Sequence, residues 1–300
     1  MSGKTALVTG ASSGIGWELA RRLAARGVRV GIAARRQERL EEFAEEVVRK
    51  RGEKPVVLPT DLSVRGAAKE LAAQAVRMLE KVDIVVNNAG GGVGGLQWVV
   101  GDRDEGRETF ELNFWSPLAL IQELVPPMRE RGNGAVVNVT SIAQVLALGG
   151  LGHYNSSKAA LAMATETLRL ELYGTGVHVL EVIAGPVATG MQGEARLVPG
   201  AEEVLKRAPL GNPQTLAKLT VRALEKGRKR LVYPRALAGA YNFPFAGRAY
   251  VARGSARFAK RMSEADRELL SSVVRGGSSG DPMAQAARET WERRDRSKPG

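Results

Sequence analysis

Along the first 233 residues, short apolar runs alternate with longer stretches in which charge returns every three or four positions. Residues 4–10 (KTALVTG), 28–34 (VRVGIAA), 55–61 (PVVLPTD), 83–90 (DIVVNNAG), 134–141 (GAVVNVTS) and 177–185 (VHVLEVIAG) are rich in β-branched and small apolar residues. All but 28–34 end at Gly, Asp or Ser, and each predicts a buried strand. Between them the 3.6-residue period predicts a helix opened by the glycine-rich turn over residues 9–16 and running to about Arg26, and charged amphipathic helices over 36–51 and 65–80. Further helices are expected from about 105 to 131 and from before Tyr154 to about Tyr173, and RKRLV at 228–232 leads into a last strand. Strand and helix alternating, with glycines at strand ends, predict an α/β fold: a doubly wound parallel sheet in three α/β/α layers.

The pattern changes beyond Pro186. Residues 189–226 read as two helices, the first within a flap over 188–210. Residues 1–234 are therefore taken as one domain, 235–275 as a helical extension and 276–300 as a poorly ordered, Gly- and charge-rich tail. The extension holds Tyr241, Phe243, Phe245, Tyr250 and Phe258. A helix over 246–262 would put Tyr250, Val251, Gly254, Phe258 and Met262 on one face and Arg253, Arg257 and Lys260 beside it. That many aromatics should be buried, most simply against the protein itself. Peripheral contact of 241–262 with an anionic membrane is the alternative, and nucleic acid is disfavoured. The glycine run at 90–95 is expected to be a mobile loop.

Charge sharpens the view of that extension. The net charge is +12, from 44 Lys+Arg and 32 Asp+Glu. Residues 193–300 hold 22 of those bases and 11 of the acids, which leaves 22 and 21 for the remainder, so the basicity lies in the last third. The absence of cysteine removes disulfides, thiolate metal sites and thiol nucleophiles. No metal site is expected. Residues 132–157 carry no Lys, Arg, Asp or Glu, but their amides, hydroxyls and glycines argue against a membrane span. With a strand starting at once after Met1, the expected setting is the cytoplasm.

Candidate chemistry gathers at the strand ends. Thr9-Gly10-Ala11-Ser12-Ser13-Gly14-Ile15-Gly16 stands between a strand and a helix, where backbone can approach a phosphate at the positive helix terminus. The second strand ends in Arg35-Arg36 with no acid, which suits a 2′-phosphate and hence NADP over NAD. Asp61-Leu62 ends the third strand. Asn87-Asn88-Ala89-Gly90 ends the fourth with amides and small residues fit to meet a flat ring. Asn113 is a poor helix-interior residue unless its amide has a task. Tyr154 and Lys158 are four apart, one helical turn on one face, so the ammonium should draw the phenol pKa down toward working pH. Ser141 could hold the oxygen with which that phenol exchanges a proton.

Taken together, TGASSGIG, Asp-Leu, NNAG, a helical Asn, Ser, Tyr-x-x-x-Lys and GPVAT resemble the short-chain dehydrogenase/reductase family, in its single-domain, NADP-preferring branch with a Rossmann-type fold. The resemblance covers about residues 4–233. It implies that Asn113, Ser141, Tyr154 and Lys158 form a catalytic tetrad. It also implies that Asp61 contacts adenine, Asn87 lies near the cofactor ribose, and Val187 and Thr189 clasp the nicotinamide amide. Arg35 matches the position associated with NADP. Asn113 would bend its helix and anchor a water, and Lys158 would hold the nicotinamide ribose. Ala184-Gly185-Pro186 stands where the family usually has Pro-Gly, a change that would loosen the loop.

The activity implied is NADP(H)-dependent reduction of a ketone or aldehyde, or oxidation of the alcohol. The rival reading is a non-catalytic NADP-binding redox sensor, and an epimerase is opposed by the glycine spacing and NNAG. Val93, Leu96, Trp98, Val145, Leu146, Leu148, Leu151, Met191 and Leu197 lie in the segments expected to meet substrate and favour an apolar one. His153 is expected as wall or surface. A homodimer or homotetramer is expected.

Overall fold

The computed structural model describes residues 1–50, 52–190, 208–260, 264 and 274–275. Strands β1 (Thr5–Thr9), β2 (Arg29–Ala34), β3 (Val56–Pro59), β4 (Ile84–Asn87), β6 (Gly134–Ser141), β7 (Val177–Ala184) and β8 (Arg230–Tyr233) form one sheet in the order β3-β2-β1-β4-β6-β7-β8. Every pairing in it is parallel, the longest joining β6 to β7 from Gly134↔Val177 to Ser141↔Ala184. Parallel strands are covered on both faces, so their side chains alternate between two apolar layers rather than between core and water. Ala6, Val8, Ile84, Val86 and Val137 join one layer, and Leu7, Val85 and Val136 the other. Helices α1 (Gly14–Ala24), α2 (Gln37–Arg49) and α8 (Pro213–Glu225) cover the first layer. Helices α3 (Ala67–Leu79), α6 (Ser116–Glu130) and the end of α7 (Gly152–Glu171) cover the second.

The chain winds outward from β1 through β2 to β3, then returns to place β4 on the other side of β1. At such a reversal the connections leave the sheet in opposite directions and open a crevice at the carboxyl strand ends. The turn after β1 and the segment after β4 flank it.

Three expectations change. The helix expected over about 105–131 is three pieces: α5 (Asp104–Phe110), a π-helical turn over Glu111–Trp115, and α6. The glycine run is a packed segment: β5 (Val93–Gly94) pairs antiparallel with β9 (Val274–Arg275), and Gly95 bonds to Gly150, its N–H reaching that carbonyl at 2.9 Å, just before the short helix α4 (Gln97–Val100). The extension therefore contains one strand, β9, as well as α9 (Ala238–Asn242) and α10 (Pro244–Ala259). It packs on the domain: Leu237, Ala240, Tyr241 and Val251 gather with Ile142, Leu146 and Ile183. Phe243, Phe245 and Tyr250, expected to be buried, remain exposed. The first helix of the flap, with Met191 and Leu197, the side chain of Phe258, Met262 and the tail over 276–300 lie outside the described residues.

Candidate active site

The turn after β1 is fastened to the end of β4 by a single threonine. Thr9 Oγ1 accepts from the N–H groups of Asn88 and Ala89 at 3.0 Å each and donates to Val86 O at 3.2 Å. Asn88 Nδ2 answers by donating to Thr9 O at 2.9 Å and Gly10 O at 3.3 Å. The glycines are demanded by this closeness. A Cβ on Gly16 would stand 2.3 Å from Gly10 O and 2.4 Å from Asn88 Nδ2. Gly14 has φ of +59°, and a Cβ there would lie 2.9 Å from Thr189 Cγ2, so Val187-Thr189 sits over the turn.

Helix α1 starts from an extended Ser13 with no side-chain cap and no acid in its first turn. Its first N–H groups and positive dipole end are thus open to an anion. Arg36 Nη2 donates to both Ser12 Oγ and Ser13 Oγ at 3.0 Å, placing its guanidinium at the same mouth, with Arg35 exposed beside it. Asp61 shapes its own turn, Oδ1 accepting from Ser63 N at 2.9 Å and Ser63 Oγ at 2.7 Å, while the Leu62 carbonyl accepts from Ser116 Oγ at 2.7 Å. Asn87 Nδ2 donates to Asn138 Oδ1 at 2.8 Å, but its own Oδ1 is buried without a partner. A glycine cradle, an uncapped helix start, flanking arginines and one unpaired buried acceptor fit a dinucleotide.

The remaining candidates converge behind the glycine run. Asn113, fully buried in the π-turn, donates from Nδ2 to Gly91 O at 2.7 Å and to Ser157 Oγ at 2.9 Å, and Oδ1 accepts from Gly91 N at 3.1 Å. The extra residue of a π-turn rotates this amide off the helix ladder and onto another chain segment. Lys158 is buried, and its Nζ donates to Val139 O at 3.1 Å. A Cβ on Gly90 would come within 3.1 Å of both Asn113 Oδ1 and Lys158 Nζ, and one on Gly92 within 3.1 Å of Tyr154 Cβ. The run expected to be mobile is thus the surface on which Asn113, Lys158 and Tyr154 rest. Ser141 ends β6 and caps the 3₁₀ turn Ile142–Gln144, its Oγ accepting from Ala143 N at 3.2 Å.

The titration of the pair departs from expectation. Burial raises the Tyr154 pKa above that of a free phenol, and hydrogen bonding with the Ser141 side chain brings it partway back. Burial pushes Lys158 down to about 8. The lysine was expected to govern the phenol. Desolvation dominates instead, because both groups are enclosed and the ammonium is spent on a backbone carbonyl.

A family model described as short chain dehydrogenase matches residues 4–198. The chain belongs to the short-chain dehydrogenase family. The fatty acyl-CoA reductase of Acinetobacter baylyi is 32% identical over 232 residues, 77% of this chain and 76% of that one. A solved short-chain dehydrogenase from Streptomyces avermitilis shares 30% identity at a TM-score of 0.71, covering 87% of this chain and 98% of that one. Another from Burkholderia phymatum, in complex with NAD, shares 26% at a TM-score of 0.69 and covers 80% and 92%.

In this short-chain dehydrogenase several supporting residues had no reading from sequence. Ser157 and Thr9 complete networks whose partners are distant along the chain. Asn138, which passes the Asn87 bond on to Thr165 Oγ1 at 2.8 Å, was detectable as a lone amide inside an apolar strand. His153 is partly buried, its Nε2 lying 2.7 Å from Gly101 O, as a wall residue would. The Gly185 loop, where the proline is missing, is held by other contacts. Gly185 N donates to Tyr233 O at 2.7 Å, and a Cβ there would strike Leu237 Cδ1. Val145, Leu146 and Leu148 pack with the extension, so their apolar character serves that contact first. Among the described residues no helix is long and apolar enough to cross a membrane.

Proposed function

We propose that this oxidoreductase is an NADP(H)-dependent reductase of apolar ketones or aldehydes, or a dehydrogenase of the corresponding alcohols by the reverse hydride transfer, with Tyr154 as proton donor. The observation that carries the reading is the enclosure of Tyr154: hydrogen-bonded by Ser141 and seated on the glycine run that Asn113 bonds and Lys158 abuts. When bound, the nicotinamide supplies a hydride to the carbonyl carbon. Tyr154 gives its proton to the developing alkoxide, and Ser141 steadies that oxygen, a contribution of a few kcal/mol when preorganised. Lys158 keeps positive charge near that phenol and would hold the nicotinamide ribose. Asn113, its Nδ2 already donating to Gly91 and Ser157, acts by fixing the glycine run, with one acceptor position of Oδ1 left for a water.

Arg35 and Arg36 support NADP, since charge-assisted bonds to a 2′-phosphate are worth about 1.5–3 kcal/mol each. The expected result is NADPH binding at least about ten times tighter than NADH, with the gap narrowed in Arg35→Asp; equal affinities in the unaltered protein would overturn the assignment. The likeness to a fatty acyl-CoA reductase supports a lipophilic carbonyl. A panel of aldehydes and ketones of increasing chain length, followed by NADPH consumption, tests this. No turnover across the panel, or a preference for the most polar members, would refute it.

The partners follow from exposed surface. Met163 and Leu170, seven apart on α7 and both exposed, support pairing of two copies, checked by the oligomeric state of Met163→Glu/Leu170→Glu. Phe243, Phe245 and Tyr250 are 70%, 84% and 55% exposed, and residues 235–260 hold five bases and no acid. That combination suits peripheral contact with an anionic bilayer, at about 1 kcal/mol per arginine near the surface. Pelleting with phosphatidylglycerol vesicles but not with neutral ones is the expected outcome.

A further inference from the structure

One buried carboxylate has no part in the proton path. Glu181 lies within β7 and is 1% exposed, where an ionised side chain is costly unless paired and hydrogen-bonded. Here it is both. Oε1 accepts from Thr140 Oγ1 at 3.0 Å and Gln144 Nε2 at 3.1 Å, and Oε2 accepts from Arg230 Nε at 3.0 Å. Thr140 is the residue before Ser141, and Gln144 closes the 3₁₀ turn that Ser141 caps. One carboxylate oxygen therefore ties both flanks of the serine to the neighbouring strand.

The tie continues outward. The Arg230 guanidinium lies 5.4 Å from the Tyr241 ring centroid and also meets Glu166 at 3.3 Å. Tyr241 belongs to α9, so the chain of contacts runs from the extension through β8 and β7 to the turn. A second connection runs alongside: Arg248 Nε donates to Val145 O at 2.9 Å, one residue past Gln144. Ser141 Oγ already accepts from Ala143 N inside the turn, so the direction of its hydroxyl depends on the turn's shape.

We propose that Glu181, held by Arg230 and Tyr241, is a positioning residue that fixes the 142–144 turn so that Ser141 meets the Tyr154 phenol. This rests on the reading of Tyr154 as proton donor. The extension is thereby part of the catalytic apparatus without touching substrate.

The test uses the whole protein, needs no substrate, and leaves Glu181 and Arg230 unsubstituted so that no charged side chain is deleted. Tyr154 ionisation is followed by the Cζ resonance of labelled tyrosine, assigned by its loss in Tyr154→Phe, over the alkaline range in which circular dichroism remains native. Thr140→Val/Gln144→Met cuts both bonds from the carboxylate to the turn. It should lower the phenolate-to-phenol ratio at a fixed pH by roughly threefold to tenfold, as loss of one hydrogen bond to the phenolate predicts. Ser141→Ala should do the same, and adding it to the double variant should lower the ratio no further. If the double variant fails to fold, Tyr241→Leu at the far end should move the ratio in the same direction. An unmoved ratio, or an equal drop when Ser141 is already alanine, would overturn the proposal. Failure of Tyr154 as donor would show separately, as undiminished turnover in Tyr154→Phe.

Discussion

Lys158 loses water on almost every side and gains one carbonyl partner in exchange. Its pKa of about 8, against 10.5 in an open chain, means that folding favours the neutral amine. Below pH 8 both states are protonated and the full penalty applies. Between 8 and 10.5 the unfolded chain binds more protons, so stability rises with pH, by up to about 3 kcal/mol. Tyr154 acts in the opposite sense higher up: its raised pKa lets the unfolded chain ionise first, so stability falls above pH 10. Urea unfolding of the cofactor-free protein should therefore show a gain between pH 7 and about pH 9.5 that disappears in Lys158→Met, which should itself be the more stable protein at pH 7. Tyr154→Phe should bind cofactor normally and lose more than tenfold in kcat, a barrier increase above ~1.4 kcal/mol; retained turnover would identify another donor. Ser141, Tyr154 and Lys158 were legible in the sequence because their spacing is local to one strand end and one helix. Thr9 and Ser157 were not, because Thr9 bonds across 79 residues to Asn88 and Ser157 across 44 to Asn113. The lysine's effect on its neighbour was misjudged for a related reason, since spacing reports proximity but not desolvation.

At the scale of elements, strands and helices were readable wherever one face is apolar, and misread where backbone packing decides. The period over 105–131 is continuous enough to suggest one helix, yet an amide that must reach Gly91 forces a π-turn at Asn113. The glycine run carries one side chain, that of Val93, to signal burial, and Asn113, Lys158 and Tyr154 lie against its glycines. Small residues permit close approach as readily as motion. The first glycine turn makes the point testable. Gly16→Ala needs no unusual φ, but its methyl would occupy the space of Gly10 O and the Asn88 amide, both fixed by the β1–β4 fastening. Overpacking of this kind costs about 1–3 kcal/mol. The melting temperature should drop, and cofactor affinity should fall by more than the melting shift accounts for, if the displaced groups shape the turn expected to meet the cofactor phosphates. A variant with unchanged affinity would mean that the cradle tolerates movement and that the close contact at Gly16 is only structural.

At the scale of the molecule, the doubly wound sheet and its crevice followed from alternation alone, whereas the extension's course did not, because nothing in its sequence states which surface receives it. The structure seats it against Ile142, Leu146 and Ile183, with Arg248 on Val145 O and Tyr241 on Arg230. Ending the chain after Pro234 would uncover that apolar patch and leave Arg230 without its aromatic neighbour. It would also remove the clash-limited contact of Leu237 with Gly185, the residue that carries the Val187-Thr189 segment over the glycine turn. The shortened protein should melt several degrees lower and tend to aggregate, as newly exposed apolar surface does. Its turnover should fall further than its folded fraction, because both the Ser141 turn and the Thr189 segment lose their outer support. Ending the chain after Gly276 keeps α9, α10 and β9 and should leave activity and melting unchanged. A protein ending at Pro234 that stays soluble, melts normally and turns over at the full rate, but no longer pellets with anionic vesicles, would make the extension a membrane device alone.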